Sequence, residues 1–273
     1  MRIAQIVLPN ASFYERKSQR IDHAFLSERH EVTVVDPRAF FEADVAHVYG
    51  NDLAAPLFRR FPIPYVASAE PHLPRFRFVR PIKPRYVLSP IAPIDSKAYL
   101  QNVPEAVEER YFKETGQPGV PVLHYVGAFD GQRPGVRSML ELTLARIQRF
   151  RTDVTFRVFD SAPTPDDLTG VEAWLDPATL ENDYDGFTAE AIAAGKAVVA
   201  ARTAINAQRL ENGRTGFLVP CNDSNEMTHA ILAALFKLEV ARQKIEAARQ
   251  TVGKFRPRQR LRVLERIYQA VAS

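Results

Sequence analysis

Residues 182–219, NDYDGFTAEAIAAGKAVVAARTAINAQRLENGRTGFLV, decide the fold of this chain. The stretch opens with a polar loop and continues in a short helical segment that ends at Gly195, a residue typical of a helix C-terminus. KAVVAA then predicts a buried parallel strand, and NGRTGFLV predicts a turn and another strand. A helix that leads directly into a buried strand is the repeating unit of a parallel α/β sheet.

The same alternation of strands and helices occupies the first hundred residues. Strands are predicted at 3–8 and in HEVTVVDP, ADVAHVYG and IPYVASAE, and helices at 15–29 and 104–115. The segment GQPGVP, with two prolines and two glycines, interrupts the pattern. We therefore predict two Rossmann-like domains, residues 1–117 and 118–255, followed by a terminal helix at 256–273.

Composition places the chain among ordinary globular proteins, at 46% hydrophobic and 25% charged residues. Its one cysteine, Cys221, forms no internal disulfide, which fits a reducing compartment. No apolar run reaches the length of about 18 residues that a transmembrane helix needs. The N-terminus has a short apolar stretch that reads as a first strand rather than a signal peptide. These features predict a cytoplasmic protein.

Positive charge is concentrated near the C-terminus. Residues 237–273 hold ten Lys or Arg against three Asp or Glu, whereas the whole chain has a net charge of +4. A second basic cluster, RFRFVRPIKPR, spans residues 75–85. The asymmetry favours an anionic partner such as the inner membrane surface or a phosphate-bearing substrate, or it is simply a solvated helix face and loop. No nucleic-acid-binding fold signature accompanies it, so we expect no nucleic-acid partner.

The runs AEAIAAGKAVVAA (189–201) and LENGRTGFLVP (210–220) closely resemble the donor-binding segment of the family 4 retaining glycosyltransferases. The resemblance implies a GT-B fold, in which two Rossmann-like domains face each other across a cleft and the last helix packs back on the first domain. It also implies that Glu190 holds the ribose of a nucleotide, which suits a carboxylate in the first turn of a helix.

The loop before Glu190 is implied to line the donor sugar. The family places an acidic residue eight positions before this glutamate, and here that position is Asn182. Gly186 allows the backbone to approach a ligand closely. The resemblance thus assigns donor contacts to Asn182, Asp183, Tyr184, Asp185, Gly186, Phe187 and Thr188.

A second resemblance lies in LHYVGAFDGQRPGV, residues 123–136. The family typically has a strand, a glycine, an arginine, and a lysine five residues later; the two cations neutralise the donor diphosphate. Here Gly127 is present, Ala128 takes the arginine position and Arg133 takes the lysine position. Arg137 and Lys196 are the candidates for the second cation, which is needed because charge develops on the diphosphate as the glycosidic bond breaks.

The N-terminal half resembles the family less. The loop after the first strand, PNASFYERKS, lacks the family's glycines, although Arg16 or Lys17 supplies positive charge. The family often has a histidine after the fourth strand, near the donor sugar. In PYVASAEPHL the candidates are Glu70 and His72, whose alternative roles are a loop carboxylate and a surface histidine.

The function implied is hexosyl transfer from a nucleotide-diphosphate sugar to an acceptor hydroxyl, with retention and without cofactor or metal. The departing phosphate itself helps deprotonate the acceptor, so no protein nucleophile is needed. Glu70, His72 and Arg133 are the predicted catalytic residues, and the acceptor is a glycan, lipid or small molecule. The alternative is a degenerate GT-B protein that binds a nucleotide sugar or a partner without turnover.

Overall fold

The computed structural model describes residues 1–9, 11–36, 41–50, 64–68, 86–89, 100–112, 123–130, 133–181 and 186–273. The chain forms two compact units, one of Met1–Ala106 with Lys254–Ser273 and one of Val107–Gly253. The division lies before the predicted 117/118 boundary. Tyr111 explains this position, because its hydroxyl donates to the carbonyl of Pro163 at 2.6 Å and its ring lies edge-on to Phe187, both in the second unit.

Strands and helices alternate along the described residues. The strands are β1 (Arg2–Val7), β2 (Glu31–Val34), β3 (Val45–Tyr49), β4 (Tyr65–Ser68), β5 (Tyr86–Ser89), β6 (Leu100–Asn102), β7 (His124–Phe129), β8 (Val154–Phe159), β9 (Ala173–Asp176), β10 (Ala197–Ala201) and β11 (Phe217–Val219). The helices are α1 (Phe13–Leu26), α2 (Val136–Gln148), α3 (Pro165–Thr169), α4 (Thr188–Ala193), α5 (Ala204–Arg209), α6 (Ser224–Phe236), α7 (Leu238–Thr251) and α8 (Pro257–Ala272).

The first unit contains a parallel sheet with the strand order β2-β1-β3-β4-β5-β6. One apolar face packs against α1 and α8, where Ile3, Val45 and Val66 belong to a single buried cluster. The buried positions of α8 in that cluster are Leu261, Leu264, Ile267, Tyr268 and Val271. Their spacing of three and four residues gives the last helix one apolar face, which completes the core of the first unit.

A buried ion pair joins the first helix to the last. The Arg260 guanidinium donates to the two carboxylate oxygens of Asp22 at 2.6 and 2.8 Å. The Tyr49 hydroxyl donates to the same carboxylate at 2.9 Å. Burial alone would lower the pKa of Arg260, but Asp22 raises this pKa well above its ordinary value, so the guanidinium stays charged.

His47 extends these contacts across the sheet. Its Nε2 lies 2.8 Å from the Ser68 hydroxyl, and its Nδ1 faces the hydroxyls of Tyr49 and Tyr268. Burial, helped by the charge of Arg260, lowers the pKa of His47 well below 6.5, so its ring is neutral. We call Asp22, His47, Tyr49, Ser68, Arg260 and Tyr268 the unit-1 polar cluster.

The second unit contains a parallel sheet with the order β11-β10-β9-β7-β8. Residues of α2 and α6 share a buried apolar cluster with alternate residues of β7, β9 and β10. Gly195 has φ +73° and ends the turn after α4, as its place in the sequence predicted. Ala200 of β10 lies in register with Asp176 of β9, which places the ends of the two strands side by side.

Some local predictions were wrong. Among the described residues of the predicted 104–115 helix, only a 3₁₀ turn at Glu109–Phe112 is helical. Val103, Glu105, Ala106 and Val107 are all buried, a pattern without the polar face of a surface helix. The sequence reading also missed β6 and α3. No helix of the described residues is both long and apolar enough to span a membrane.

Candidate functional site

Three acidic residues mark the carboxyl edge of the second sheet. Asp130 follows β7, Asp160 follows β8, and Asp176 is the last residue of β9. Because these strands are parallel, their carboxyl ends meet at one edge, which is where open α/β sheets bind ligands. The segment that the sequence singled out, from Gly186 into α4, lies at the same edge, since it touches Asp176.

The Asp176 carboxylate is the centre of a buried polar group. It accepts hydrogen bonds from Arg133 at 2.8 Å, from the Asn206 amide at 2.7 Å and from the Thr188 hydroxyl at 3.1 Å. Burial alone would raise the pKa of Asp176, but Arg133, the Asn206 amide and Arg209 together lower it below 3.8. The carboxylate is therefore ionised, and it ties α4 and α5 to the end of β9.

Arg133, the predicted diphosphate cation, is buried and bound within the protein. Besides Asp176, its guanidinium donates to the carbonyl of Phe129 at 2.6 Å and to that of Asp130 at 3.3 Å. The side chain is 7% exposed, so its charge is balanced mainly by the Asp176 carboxylate. Arg133 thus fixes the segment after β7 against the end of β9, and any diphosphate must share its charge with Asp176.

The two residues considered as second cations lie in different places. Arg137, in the first turn of α2, binds Asp130 at 3.0 Å and Asp160 at 2.7 Å at the carboxyl edge. Lys196 immediately precedes β10, at the amino edge of the sheet. Burial lowers its pKa to about 8, with Glu172 acting in the opposite direction. Lys196 precedes β10, whereas Arg133 follows β7. Because the strands of this sheet are parallel, the two cations lie at opposite edges.

Gly186 ends the loop that was predicted to line the donor sugar. A Cβ atom at this position would lie 1.9 Å from the Asp176 carboxylate, so only glycine fits. Its carbonyl accepts a hydrogen bond from the Trp174 indole at 2.8 Å. Phe187 follows with φ 57°, and its ring packs against those of Phe129 and Trp174. Gly186 is thus fixed between Asp176 and Trp174, and Phe187 is fixed by aromatic packing.

Gly127 and Glu190 have different surroundings. Gly127 lies inside β7. A Cβ atom there would lie 2.8 Å from the Trp174 ring, so the glycine leaves the space that this ring occupies. Glu190 is in the first turn of α4 and only 1% exposed. Ala128, at the family's arginine position, is fully buried in the apolar core. No phosphate contact can come from its side chain.

The remaining predicted site residues lie outside the described residues. They are Glu70, His72, Asn182, Asp183, Tyr184 and Asp185. In the first unit, Arg16 donates to the carbonyls of Pro9 and Ala11, and Lys17 forms a buried ion pair with Glu105 at 3.2 Å. Each of these two cations therefore already has a partner within its own unit. Among the described residues no group of His, Cys, Asp and Glu could hold a metal ion.

Asp176, at the centre of this site, was not predicted from the sequence. Asp176 ends the apolar strand AWLD, which is a place where polar side chains often serve a function in parallel sheets. That signal was present in the sequence. Asn206 and Arg209 lie in α5, and Arg209 donates to the Asn206 side chain at 3.3 Å. Nothing in their local pattern distinguishes them from ordinary helix residues.

Comparison with known proteins agrees with this architecture. Residues 123–236, most of the second unit, match the model of the family Glycosyl transferases group 1. No curated protein matches the sequence.

Several solved structures resemble the whole chain. The Anabaena protein Alr3699/HepE in complex with UDP and glucose has a TM-score of 0.79 at 14% identity, covering 99% of this chain and 100% of that one. A glycosyltransferase from Rickettsia africae ESF-5 has a TM-score of 0.76 at 12% identity, covering 99% and 98%. The sucrose-phosphate synthase of Thermosynechococcus elongatus has a TM-score of 0.71 at 12% identity, with 99% and 98% coverage. At these identities the likeness concerns the fold, and the predicted α/β fold with two Rossmann-like parallel sheets, as in GT-B glycosyltransferases, is confirmed.

Proposed function

We propose that this protein is a retaining glycosyltransferase that moves a hexosyl group from a nucleotide-diphosphate sugar to an acceptor hydroxyl. The observation that carries the proposal is the setting of Glu190. This buried side chain lies in α4. The first residue of α4, Thr188, donates a hydrogen bond to Asp176, and Gly186 packs against the same carboxylate. The whole arrangement falls within the residues that match the glycosyltransferase family model.

Each residue has a proposed role. Glu190 accepts hydrogen bonds from the ribose hydroxyls, and residues 182–188 surround the donor sugar. Arg133 contributes to neutralising the diphosphate while sharing its charge with Asp176. Glu70 and His72 are the proposed catalytic residues from the N-terminal half of the sequence.

The proposed reaction breaks the bond between the anomeric carbon and the diphosphate oxygen. The acceptor oxygen bonds to that carbon on the same face, and its proton passes to the departing phosphate. Stabilising the charge that develops on the diphosphate is the main catalytic task, because no protein nucleophile takes part. The acceptor is a glycan, a lipid or a small molecule.

The first test is donor binding by calorimetry with UDP-, GDP- and ADP-sugars, starting from UDP-glucose. A structural neighbour, Alr3699/HepE, was solved in complex with UDP-glucose. Glu190→Gln is expected to weaken donor binding about tenfold or more, because the amide offers one acceptor oxygen where the carboxyl group offers two. The matched control is Glu226→Gln, an exposed glutamate in the first turn of α6. Equal affinity of wild type and Glu190→Gln would remove the role of Glu190.

A protein that binds the donor without turnover is the second candidate. Two observations favour it: Ala128 is buried in the core, and the charge of Arg133 is paired with Asp176. Release of free sugar from the bound donor, followed by chromatography, separates the two candidates. Donor binding without hydrolysis or transfer, unchanged in Arg133→Ala, supports the binding protein. If no nucleotide sugar binds at all, both candidates are refuted.

We also propose that the protein acts in the cytoplasm at the anionic inner membrane surface. Arg256, Arg258, Arg262 and Arg266 are exposed on or next to α8, whose opposite face is buried in the first unit. Basic residues near an anionic lipid surface contribute about 1 kcal/mol each. Co-sedimentation with phosphatidylserine vesicles at low and high salt tests this location. Failure to bind at low salt would refute it.

A further inference from the structure

The cations at the carboxyl edge of the second sheet are largely matched by carboxylates. Arg133 binds Asp176, and Arg137 binds both Asp130 and Asp160. Lys196 lies at the other edge. A diphosphate that enters this edge would therefore meet the three carboxylates Asp130, Asp160 and Asp176, which are paired with these two arginines. Productive binding of such a ligand needs a further cation whose charge is not already balanced.

Arg202 is located where such a cation is needed. It directly follows β10, and its backbone N–H still donates to the carbonyl of Val219 on β11 at 2.7 Å. Ala200 is the register partner of Asp176 on the neighbouring strand. With neighbouring strands about 4.8 Å apart and a rise of about 3.3 Å per residue, the Cα atoms of Arg202 and Asp176 are about 8 Å apart. An arginine side chain readily spans that distance.

Strand alternation shows which face of the sheet is shared with Asp176 up to the end of β10. Ala197, Val199 and Ala201 of β10 point into the apolar cluster beneath α2 and α6. The even-numbered positions point to the other face, which on β9 carries Trp174 and Asp176. Arg202 follows Ala201, the last residue of β10, at a tight turn in which the Thr203 N–H donates to the Ala201 carbonyl at 2.8 Å. It therefore lies at the carboxyl edge, two residues beyond Ala200, the register partner of Asp176.

Arg202 differs from its neighbours in its contacts. It is exposed and forms no ion pair with any residue in the part of the chain that the structure describes. Asp176 nevertheless connects to the segment that follows Arg202, since Thr203 caps α5 and Asn206 of that helix donates to Asp176. The position of Arg202 is thus fixed by its backbone while its guanidinium remains available.

We propose that Arg202 is a substrate-contacting residue that binds the terminal phosphate of the donor's diphosphate. The assignment rests on the proposed function. A guanidinium matches phosphate geometry with paired N–H donors, and it keeps its charge at any relevant pH. In the transfer reaction it would stabilise the negative charge that collects on the diphosphate as the sugar leaves.

The test compares the dissociation constants of UDP and UMP, measured by calorimetry, for wild type, Arg202→Gln and Arg202→Lys. UDP carries the terminal phosphate and UMP lacks it. Arg202→Gln is expected to weaken UDP binding about tenfold and UMP binding by less than about threefold, with Arg202→Lys between wild type and Gln. Arg149→Gln is the matched control, because Arg149 is an exposed arginine at the opposite, amino edge of the sheet, after α2.

The outcomes separate this assignment from the proposed function. An unchanged ratio of UDP to UMP affinity in Arg202→Gln, with normal wild-type binding, overturns the role of Arg202 alone. Equal weakening in Arg149→Gln also overturns it, since the effect would then be general electrostatics. If wild type binds none of UDP, GDP and ADP, the proposed function is overturned and the role of Arg202 with it.

Discussion

Each unit contains a buried arginine–aspartate pair, and the two pairs have different settings. Asp22 and Arg260 are 238 positions apart in the chain and lie between two helices and the middle of a sheet. Their neighbours are the hydroxyls and imidazole of the unit-1 polar cluster. Arg133 and Asp176 are 43 positions apart and lie where strands end, with main-chain carbonyls and Gly186 as neighbours.

The difference indicates that one chemical pair serves two purposes. In the first unit the pair fixes a helix on a closed core, so its loss should appear mainly as lost stability. In the second unit the pair holds the segments that follow β7 and β9 at the carboxyl edge of the sheet, where the donor site is proposed. Its loss should therefore affect both stability and donor binding, and the following predictions test this contrast.

The largest effect is expected from Arg260→Met. It leaves Asp22 as a buried charge without its main partner, which costs about 3–5 kcal/mol of unfolding free energy. Arg262→Met, two residues along the same helix but exposed, should change stability by less than about 0.5 kcal/mol. Urea denaturation followed by circular dichroism measures both. Similar losses in the two variants would show that the ion pair does not anchor α8.

An intermediate effect is expected from Asp176→Asn. The asparagine keeps one acceptor oxygen for the surrounding donors but loses the charge, so the loss should be about 1.5–3 kcal/mol. Trp174, the only tryptophan, bonds to Gly186 and provides a fluorescence signal for this site. Asp160→Asn is the control, since Asp160 is 70% exposed and its pair with Arg137 should contribute at most about 1 kcal/mol.

The affinity for UDP is the second quantity to measure in Asp176→Asn and its control. Asp176→Asn should weaken UDP binding, because Gly186, Thr188 and Arg133 are all positioned by this carboxylate. Asp160→Asn should not weaken UDP binding, because it removes a negative charge that is paired with Arg137. A stability loss in Asp176→Asn without any change in UDP affinity would make the second pair equivalent to the first, and would end the contrast between them.

The smallest effect per step is expected from pH, within a single pH unit. Folded His47 stays neutral because its pKa is well below 6.5, whereas unfolded His47 titrates near that value. The unfolded state therefore binds more protons, and stability should fall by up to about 1.4 kcal/mol per pH unit as pH drops below 6.5. The lowered pKa of Asp176 contributes stability that is complete above 3.8 and is lost only as pH falls further.

Comparing wild type with His47→Gln isolates the first of these contributions. Urea midpoints measured between about pH 6.5 and 4.5 should fall more steeply in wild type, because glutamine binds no proton in this range. Parallel pH profiles for the two proteins would show that His47 is not responsible for the slope.

Local pattern predicted the elements between α4 and β11 well. The helix before Gly195, the strand of KAVVAA and the strand in TGFLV all occur, because each has a spacing and an end signal that local physics sets. Glu190 could likewise be located from its motif. By contrast, the pairing of Arg133 with Asp176 depends on which strands become neighbours, and the order β9-β7-β8 does not follow the chain. That information is not present in any short segment.

The first unit was harder to predict for the same reason. Asp22 has an ordinary place on an amphipathic helix, and Arg260 belongs to a run that looks like a solvated basic face. Only the packing of α8 on α1 turns this one arginine inward. The same holds for Glu105, which binds Lys17 across 88 positions and lies where a helix was expected. The roles of Glu70, His72 and residues 182–185 stay predictions.

The return of the chain to the first unit at Lys254 has a consequence for biosynthesis. On the ribosome, the α8 residues that complete the core of the first unit and neutralise Asp22 emerge after the second unit. All of the second unit is translated before them. Although domains usually fold in the order of their synthesis, here the later unit has its complete sequence first. Until α8 emerges, one apolar face of the first sheet lacks the helix that covers it. During this interval the first unit is exposed to aggregation and needs protection from it.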